Sequence, residues 1–171
     1  MFQESIGTKN RFEKKMAKRG EEIIYFVSSI VIQLNIHKGT QKFYCEHTQE
    51  IISMALCNLN GDICATGDMS DINPSIHVWN TRNMENISVL FGIHHTGIHL
   101  LAFSSNDKFL ITAGLGDPSA ILIYDWRTAH AIISVSVKSP TQDILVIRGM
   151  NPWSEAKSFF QVGMEAEPKP V

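Results

Sequence analysis

The sequence predicts an all-β protein built from repeated four-stranded antiparallel sheets, and three observations carry that expectation. A phrase recurs: "SIHVWNTRN" at Ser75 to Asn83 returns as "AILIYDWRT" at Ala120 to Thr128, and a return after about 40–50 residues marks sheet-per-repeat architectures. The apolar runs are short, β-branched and alternating. Clusters of Gly, Pro, Asn, Asp and Ser punctuate them at regular intervals. Of 171 residues, 44% are hydrophobic and 19% charged, which is enough apolar material for a core and argues against a disordered chain.

Residues 1–22 lack apolar periodicity. From Lys9 to Arg19 six basic residues (Lys9, Arg11, Lys14, Lys15, Lys18, Arg19) stand against a single acid, Glu13, so a short basic tail or surface helix is expected. Lys14, Lys15, Lys18 and Arg19 are the candidates for attracting an acidic partner. From Ile23 the texture changes. "IVIQLNI" and "QKFYC" flank "HKGT", a hairpin in which Gly39 supplies the positive φ, and residues 23–46 read as the last two strands of a sheet.

Two complete units follow, at 47–92 and 93–138. The first runs from His47-Thr48 through "IISMAL", the turn "NLNGD", "ICATG", the loop "DMSDINP", "SIHVWN" and "ENISVLF". The second runs from His95-Thr96 through "IHLLAF", "SSND", "KFLITAG", "LGDPS", "AILIYDW" and "AHAIISVSV". In this alignment Gly67 corresponds to Gly114 and Trp79 to Tyr124. Residues 139–163 begin the pattern again with "QDILVIRG", and 164–171 ("MEAEPKPV" from Met164) form a Pro- and Glu-rich tail expected to be disordered.

A four-stranded sheet with two apolar faces cannot bury itself, so it stacks on its neighbours. Radial stacking of such sheets gives a β-propeller, here about three blades' worth. The chain resembles WD-repeat propellers. Through "YFVSSIVIQLN", "QKFYCEHTQEIISMAL", "ICATGD" and "SIHVWN" it is similar to the echinoderm microtubule-associated protein-like family and related ciliary WD-repeat proteins. That resemblance implies a hydrogen-bonded network of His, Ser/Thr, Asp and Trp in each blade, which maps by position to His47, Thr66, Asp71 and Trp79, then to His95, Thr112, Asp117 and Tyr124. The pattern departs from the family at Glu46 before His47, at Trp79-Asn80 and at Tyr124-Asp125.

Other chemistry finds little support. A net charge of −2 gives no global pull towards nucleic acid or membrane. Cys45, Cys57 and Cys64 form no CxxC pair and sit in apolar runs, as small hydrophobes in a reducing compartment do. Glu21 and Glu22 interrupt the basic-to-apolar junction of a signal peptide, and Ile23 to Ile36 is too short and too polar to span a bilayer. His95 and His99 lie about 13 Å apart on a strand, too far for one metal, and Cys45, His47 and Cys57 match no zinc spacing. "AGLGDPSA" lacks the Lys-Ser/Thr of a phosphate loop, and no nucleophile elbow appears. No catalytic residue, metal or cofactor is expected.

The sequence-based expectation is therefore a non-catalytic protein–protein interaction scaffold that displays loops such as "DMSDINP" and "LGDPS" on one rim. The resemblance implies tubulin or microtubules as partners and a cytoplasmic location at the cytoskeleton or cilium; the alternative is an adaptor subunit of another multiprotein complex. An open arc of blades leaves strand edges that invite self-association. The abrupt end of the repeat favours a piece of a longer propeller over self-assembly or instability.

Overall fold

A computed structural model describes residues 16–59, 61–91, 94–115, 119–137, 144–149 and 160–164. Every regular element among them is a strand, and the strands form four antiparallel sheets. Sheet I holds β1 (Met16–Arg19), β2 (Glu22–Val27), β3 (Ile30–Asn35) and β4 (Gln41–Tyr44). Sheet II holds β5 (Ile51–Leu56), β6 (Ile63–Asp68), β7 (Ile76–Asn80) and β8 (Asn86–Leu90). Sheet III holds β9 (Ile98–Phe103), β10 (Leu110–Gly114), β11 (Ser119–Asp125) and β12 (His130–Val137). A two-stranded sheet IV pairs β13 (Ile144–Gly149) with β14 (Phe160–Met164).

Within the first three sheets each strand pairs with the next in sequence. The first strands β1, β5, β9 and β13 meet one another in succession. Sheets that touch through their first strands and run outward from them are propeller blades, so the fold is all-β and a partial β-propeller.

The period-2 pattern decides which side chains fill the gaps between blades. Ile24, Phe26, Val31 and Tyr44 of sheet I pack on Ile51, Cys64 and Trp79 of sheet II. On the other face of sheet II, Ala65, Ile76, Val78 and Leu90 meet Ile98, Phe103, Leu110, Leu122 and Tyr124 of sheet III. Leu100, Ile111 and Ala113 line the far face of sheet III. Each sheet thus has a back face towards the preceding blade and a forward face towards the next.

Backbone contact between blades is close at Gly67, where an added Cβ would stand 2.5 Å from Cβ of Ile98. Only a residue without a side chain permits that approach. The β3–β4 hairpin turns through Gly39 at φ 65°, with Gly39 N donating to Asn35 O at 2.9 Å.

Two expectations need correction. Met16–Arg19 is neither tail nor helix: it pairs antiparallel with β2, Met16 opposite Tyr25 and Arg19 opposite Glu22. Sheet I consequently has four strands, not two. "MAKR" carries no apolar alternation, so its strand state comes from ladder bonds to β2 and from partners for Arg19. Tertiary pairing here outweighs a polar local sequence. Residues 1–15 and 165–171, expected as tails, lie outside the described residues. Among the described residues no helix is long and apolar enough to cross a membrane.

Candidate functional site

Thr66 and Asp68 are two apart on β6 and so share a face. Beneath them His47, from the segment between β4 and β5, is held by both. Its Nδ1 lies 3.0 Å from Asp68 Oδ2 and its Nε2 2.8 Å from Thr66 Oγ1. A carboxylate only accepts, so Nδ1–H donates to Asp68 and Nε2 accepts from the Thr66 hydroxyl. Thr66 Oγ1 in turn accepts from Trp79 Nε1 at 3.2 Å. Asp68 also accepts from the Ser75 amide at 2.7 Å and from the Ser75 hydroxyl. Burial opposes ionisation of Asp68, but these bonds from His47 and Ser75 prevail and hold its carboxyl below the usual range.

The network reaches across the blade gap. Tyr44 of β4 stacks on Trp79, with centroids 4.5 Å apart and planes at 10°. Its hydroxyl donates to Asn86 Oδ1 and accepts from His77 Nδ1 at 2.7 Å. His77 stacks on His47 at 3.9 Å. Burial first, and the neighbouring His47 second, push the His77 pKa down to about 4, although Asp68 pulls the other way.

His47, Asp68 and His77 bring ligand-type atoms within 4.8 Å of one another. Most of these atoms are engaged in hydrogen bonds: His47 Nδ1 with Asp68, His47 Nε2 with Thr66 and His77 Nδ1 with Tyr44. What the arrangement does is tie two blades together with satisfied buried bonds.

Among the residues singled out from the sequence, His47 and Trp79 both hydrogen-bond Thr66. Asp71 is not part of that set. It lies exposed in the loop after β6, because the chain leaves the sheet at Met69, and Asp68, the last residue of β6, holds the carboxylate position. Sheet III needs a second correction. His94, not His95, bonds Thr112, with Nε2 to Oγ1 at 2.7 Å, while His95 is exposed.

The matching His-Thr pairs misalign the repeats by one residue. Ladder register equates Asp68, opposite Ile51, with Gly114, opposite Ile98, so Gly67 corresponds to Ala113 and not to Gly114. His94 then occupies the missing carboxylate's place: a Cβ on Gly114 would come within 2.2 Å of His94 Nδ1. Burial, with a smaller push from His95, lowers the His94 pKa to about 4. Tyr124 is buried opposite Leu110, as Trp79 is opposite Cys64. Asp117 lies outside the described residues.

Several participants escape a reading of the sequence. Asp68 is one, although its spacing carries a signal: a carboxylate two residues from Thr66 lies on the same strand face. Tyr44 and His77 carry no such signal, since their pairing depends on how blades abut. Trp126 is buried and donates from Nε1 to Asp107 O at 2.9 Å. The Asp107 carboxylate accepts from the amides of Asn58 (2.8 Å) and Leu59 (2.9 Å), fastening the turn of sheet II to that of sheet III.

The blade edges define two rims. One carries residues 45–50, 69–75, 91 and 94–97. Among the described residues it has no Lys or Arg, and it exposes Glu46, Glu50, Asp71, Met69, Phe91 and Ile72, the last at 94%. The opposite rim holds Lys38, Arg82, Lys108 and Arg127 together with Glu21, Asp62, Glu85 and Asp107. Of the expected acidic-partner residues, Arg19 is already paired with Glu22 and Asp62. Lys18 lies on β1, and Lys14 and Lys15 fall outside the described residues.

No family model matches the chain. Over 145 residues it is 28% identical to WD repeat-containing protein 90 of Mus musculus, covering 83% of this chain and 7% of that protein. It is 24% identical over 136 residues to echinoderm microtubule-associated protein-like 4 of Xenopus laevis, covering 74% of this chain and 14% of the relative. It is also 26% identical over 114 residues to the 77 kDa echinoderm microtubule-associated protein of Strongylocentrotus purpuratus, 62% of this chain and 16% of the relative. The chain therefore spans a small part of each relative's length. Its curated relatives are WD-repeat and echinoderm microtubule-associated proteins, at modest identity over most of the chain.

Proposed function

We propose that this chain is a non-catalytic protein–protein interaction module that works at microtubules, in the cytoplasm at the cytoskeleton or cilium. The observation that carries the reading is the similarity of most of the chain to proteins named as microtubule-associated. The architecture supports it. Blades locked by buried bonds hold two chemically different rims rigid, and rigid display of loops is how such scaffolds bind. The partners are proteins, with tubulin first, and copies of the chain itself second.

Charge suggests which rim faces an acidic lattice. Only the rim with Lys38, Lys108 and Arg127 offers cations to such a lattice, set among Glu21, Asp62 and Glu85, whereas the rim with Glu46, Glu50 and Asp71 would be repelled. The test is co-sedimentation with polymerised tubulin at low and moderate salt, using the intact chain, Lys38→Glu/Lys108→Glu, and Lys14→Gln/Lys15→Gln/Lys18→Gln. Pelleting that falls with salt and in a charge variant is the expected result. No pelleting of the intact chain at low salt would overturn the microtubule reading and favour an adaptor role in another complex.

A further inference from the structure

We infer that the acidic rim is a docking site for a basic protein segment that also carries apolar side chains. The inference rests on reading the chain as a protein-interaction module. It names the chemistry of a partner other than tubulin, whose acidic lattice this rim would repel.

Exposed apolar residues stand among carboxylates at the rim end of sheet II. Sheets I and III pack on its two faces, so this is a rim and not an end face of the arc. The hydrogen-bond ladder gives the order of its residues. Met69 N donates to Glu50 O at 2.8 Å, Asp68 N donates to Ser75 O at 3.1 Å, and Phe91 follows Leu90, which pairs with Ile76. Neighbouring strands lie about 4.8 Å apart, so the row from Glu50 to Phe91 spans about 14 Å, the length of about four extended residues. Met69 is 42% exposed, Phe91 55%, and Ile72, in the loop between Met69 and Ser75, 94%. That loop is closed by bonds. Ser75 N donates to Asp68 Oδ1 at 2.7 Å, and Ser70 Oγ accepts from the amides of Ile72 (3.4 Å) and Asn73 (3.3 Å). An apolar side chain held out on a closed loop offers contact at little ordering cost, and grouped apolar exposure marks an interaction surface.

The sign of the rim selects the occupant. Glu46, Glu50 and Asp71 are exposed there, and among the described residues none of the three is in an ion pair. On the opposite rim, by contrast, Asp62 is bound by Arg19 and Arg82. Uncompensated carboxylates beside Met69, Ile72 and Phe91 complement Lys or Arg interspersed with Leu, Ile or Phe. The aliphatic stems of Lys and Arg add to the apolar contact while their charged ends reach the carboxylates. The same negative charge repels nucleic acid and anionic lipid, so the occupant is a segment of protein.

Fluorescence anisotropy on the full chain tests the inference without tubulin, so its failure is separate from failure of microtubule binding. The probes are short labelled peptides of equal length, built from Lys with Leu, Lys with Ser, and Glu with Leu. The Lys–Leu peptide should bind, and less tightly as salt rises. The Lys–Ser peptide should bind at least about tenfold more weakly, and the Glu–Leu peptide should not bind. Ile72→Ser should weaken the Lys–Leu peptide about tenfold, as loss of one buried aliphatic contact does. Glu46→Lys/Glu50→Lys/Asp71→Lys should reverse the preference and take the Glu–Leu peptide instead. Lys38→Glu/Lys108→Glu, on the opposite rim, should bind as the intact chain does. All the substituted side chains are exposed, and far-UV spectra check each fold. If the triple variant loses its β spectrum, Ile72→Ser decides alone. No binding of the Lys–Leu peptide up to about 1 mM, equal binding of the Lys–Ser peptide, or binding unchanged in the folded rim variants would overturn the inference.

Discussion

Mild acid should destabilise this protein, and two buried histidines set the window. His77 and His94 are 8% and 7% exposed, and both are held near pKa 4 by burial, against about 6.5 in an unfolded chain. Between those values the unfolded chain binds protons that the folded one refuses, so stability falls as pH falls. The contribution of each histidine is complete above about pH 6.5 and gone near pH 4. A difference of about 2.5 units is worth about 3 kcal/mol per histidine, and about 2 kcal/mol of that is lost by pH 5. Together they remove about 4 kcal/mol at pH 5, a large share of the roughly 5–15 kcal/mol that stabilises a domain. Asp68, with its lowered pKa, acts in a separate window below about pH 4. The assay is urea unfolding followed by fluorescence of the buried Trp79 and Trp126 at pH 7.5, 6 and 5. With a slope of about 2 kcal/mol per molar urea, the midpoint should fall by about 2 M from pH 7.5 to 5. His77→Asn keeps a donor to Tyr44, and His94→Gln keeps a partner for Thr112; the double variant should lose most of the pH dependence. An intact-chain midpoint that stays level across this range would refute the reasoning.

Three further outcomes follow from the packing. Thr66→Val strands Trp79 Nε1 and His47 Nε2 in a site with no solvent and should cost about 2–4 kcal/mol, while Thr66→Ser should recover most of it; urea midpoints at pH 7.5 compare them. Gly67→Ala forces a Cβ against Ile98 and Ser53 and should cost about 1–3 kcal/mol or more; Gly39→Ala meets no atom and should cost only the positive-φ penalty of about 1 kcal/mol, a contrast that thermal melts resolve. Asp107→Ala removes the acceptor for the Asn58 and Leu59 amides and should speed hydrogen exchange at those two positions well before global unfolding.

The fold class was legible because its cause is local. Alternation in "IVIQLN" and "IHVWN" and turn chemistry at Gly39 act over a few residues, and the repeated phrase aligned Trp79 with Tyr124 correctly. The blade network was legible only in part. His47, Thr66 and Trp79 stood out by residue type, but Asp71 drew the assignment from Asp68, and the matching His-Thr pair drew it to His95 from His94. Spacing counts residues along a chain, whereas a hydrogen bond answers to which face a side chain occupies, and one residue of register reverses that face.

The sequence by itself determined that this chain is all-β, that its sheets repeat and that they stack, since periodicity and turn propensity are written into neighbouring residues. Only the tertiary structure decided that "MAKR" is the first strand of a blade, that Tyr44 bridges to His77 and Asn86, and that His94 fills the space above Gly114. Each of those outcomes depends on a partner far away in sequence, and no local pattern encodes where that partner will arrive.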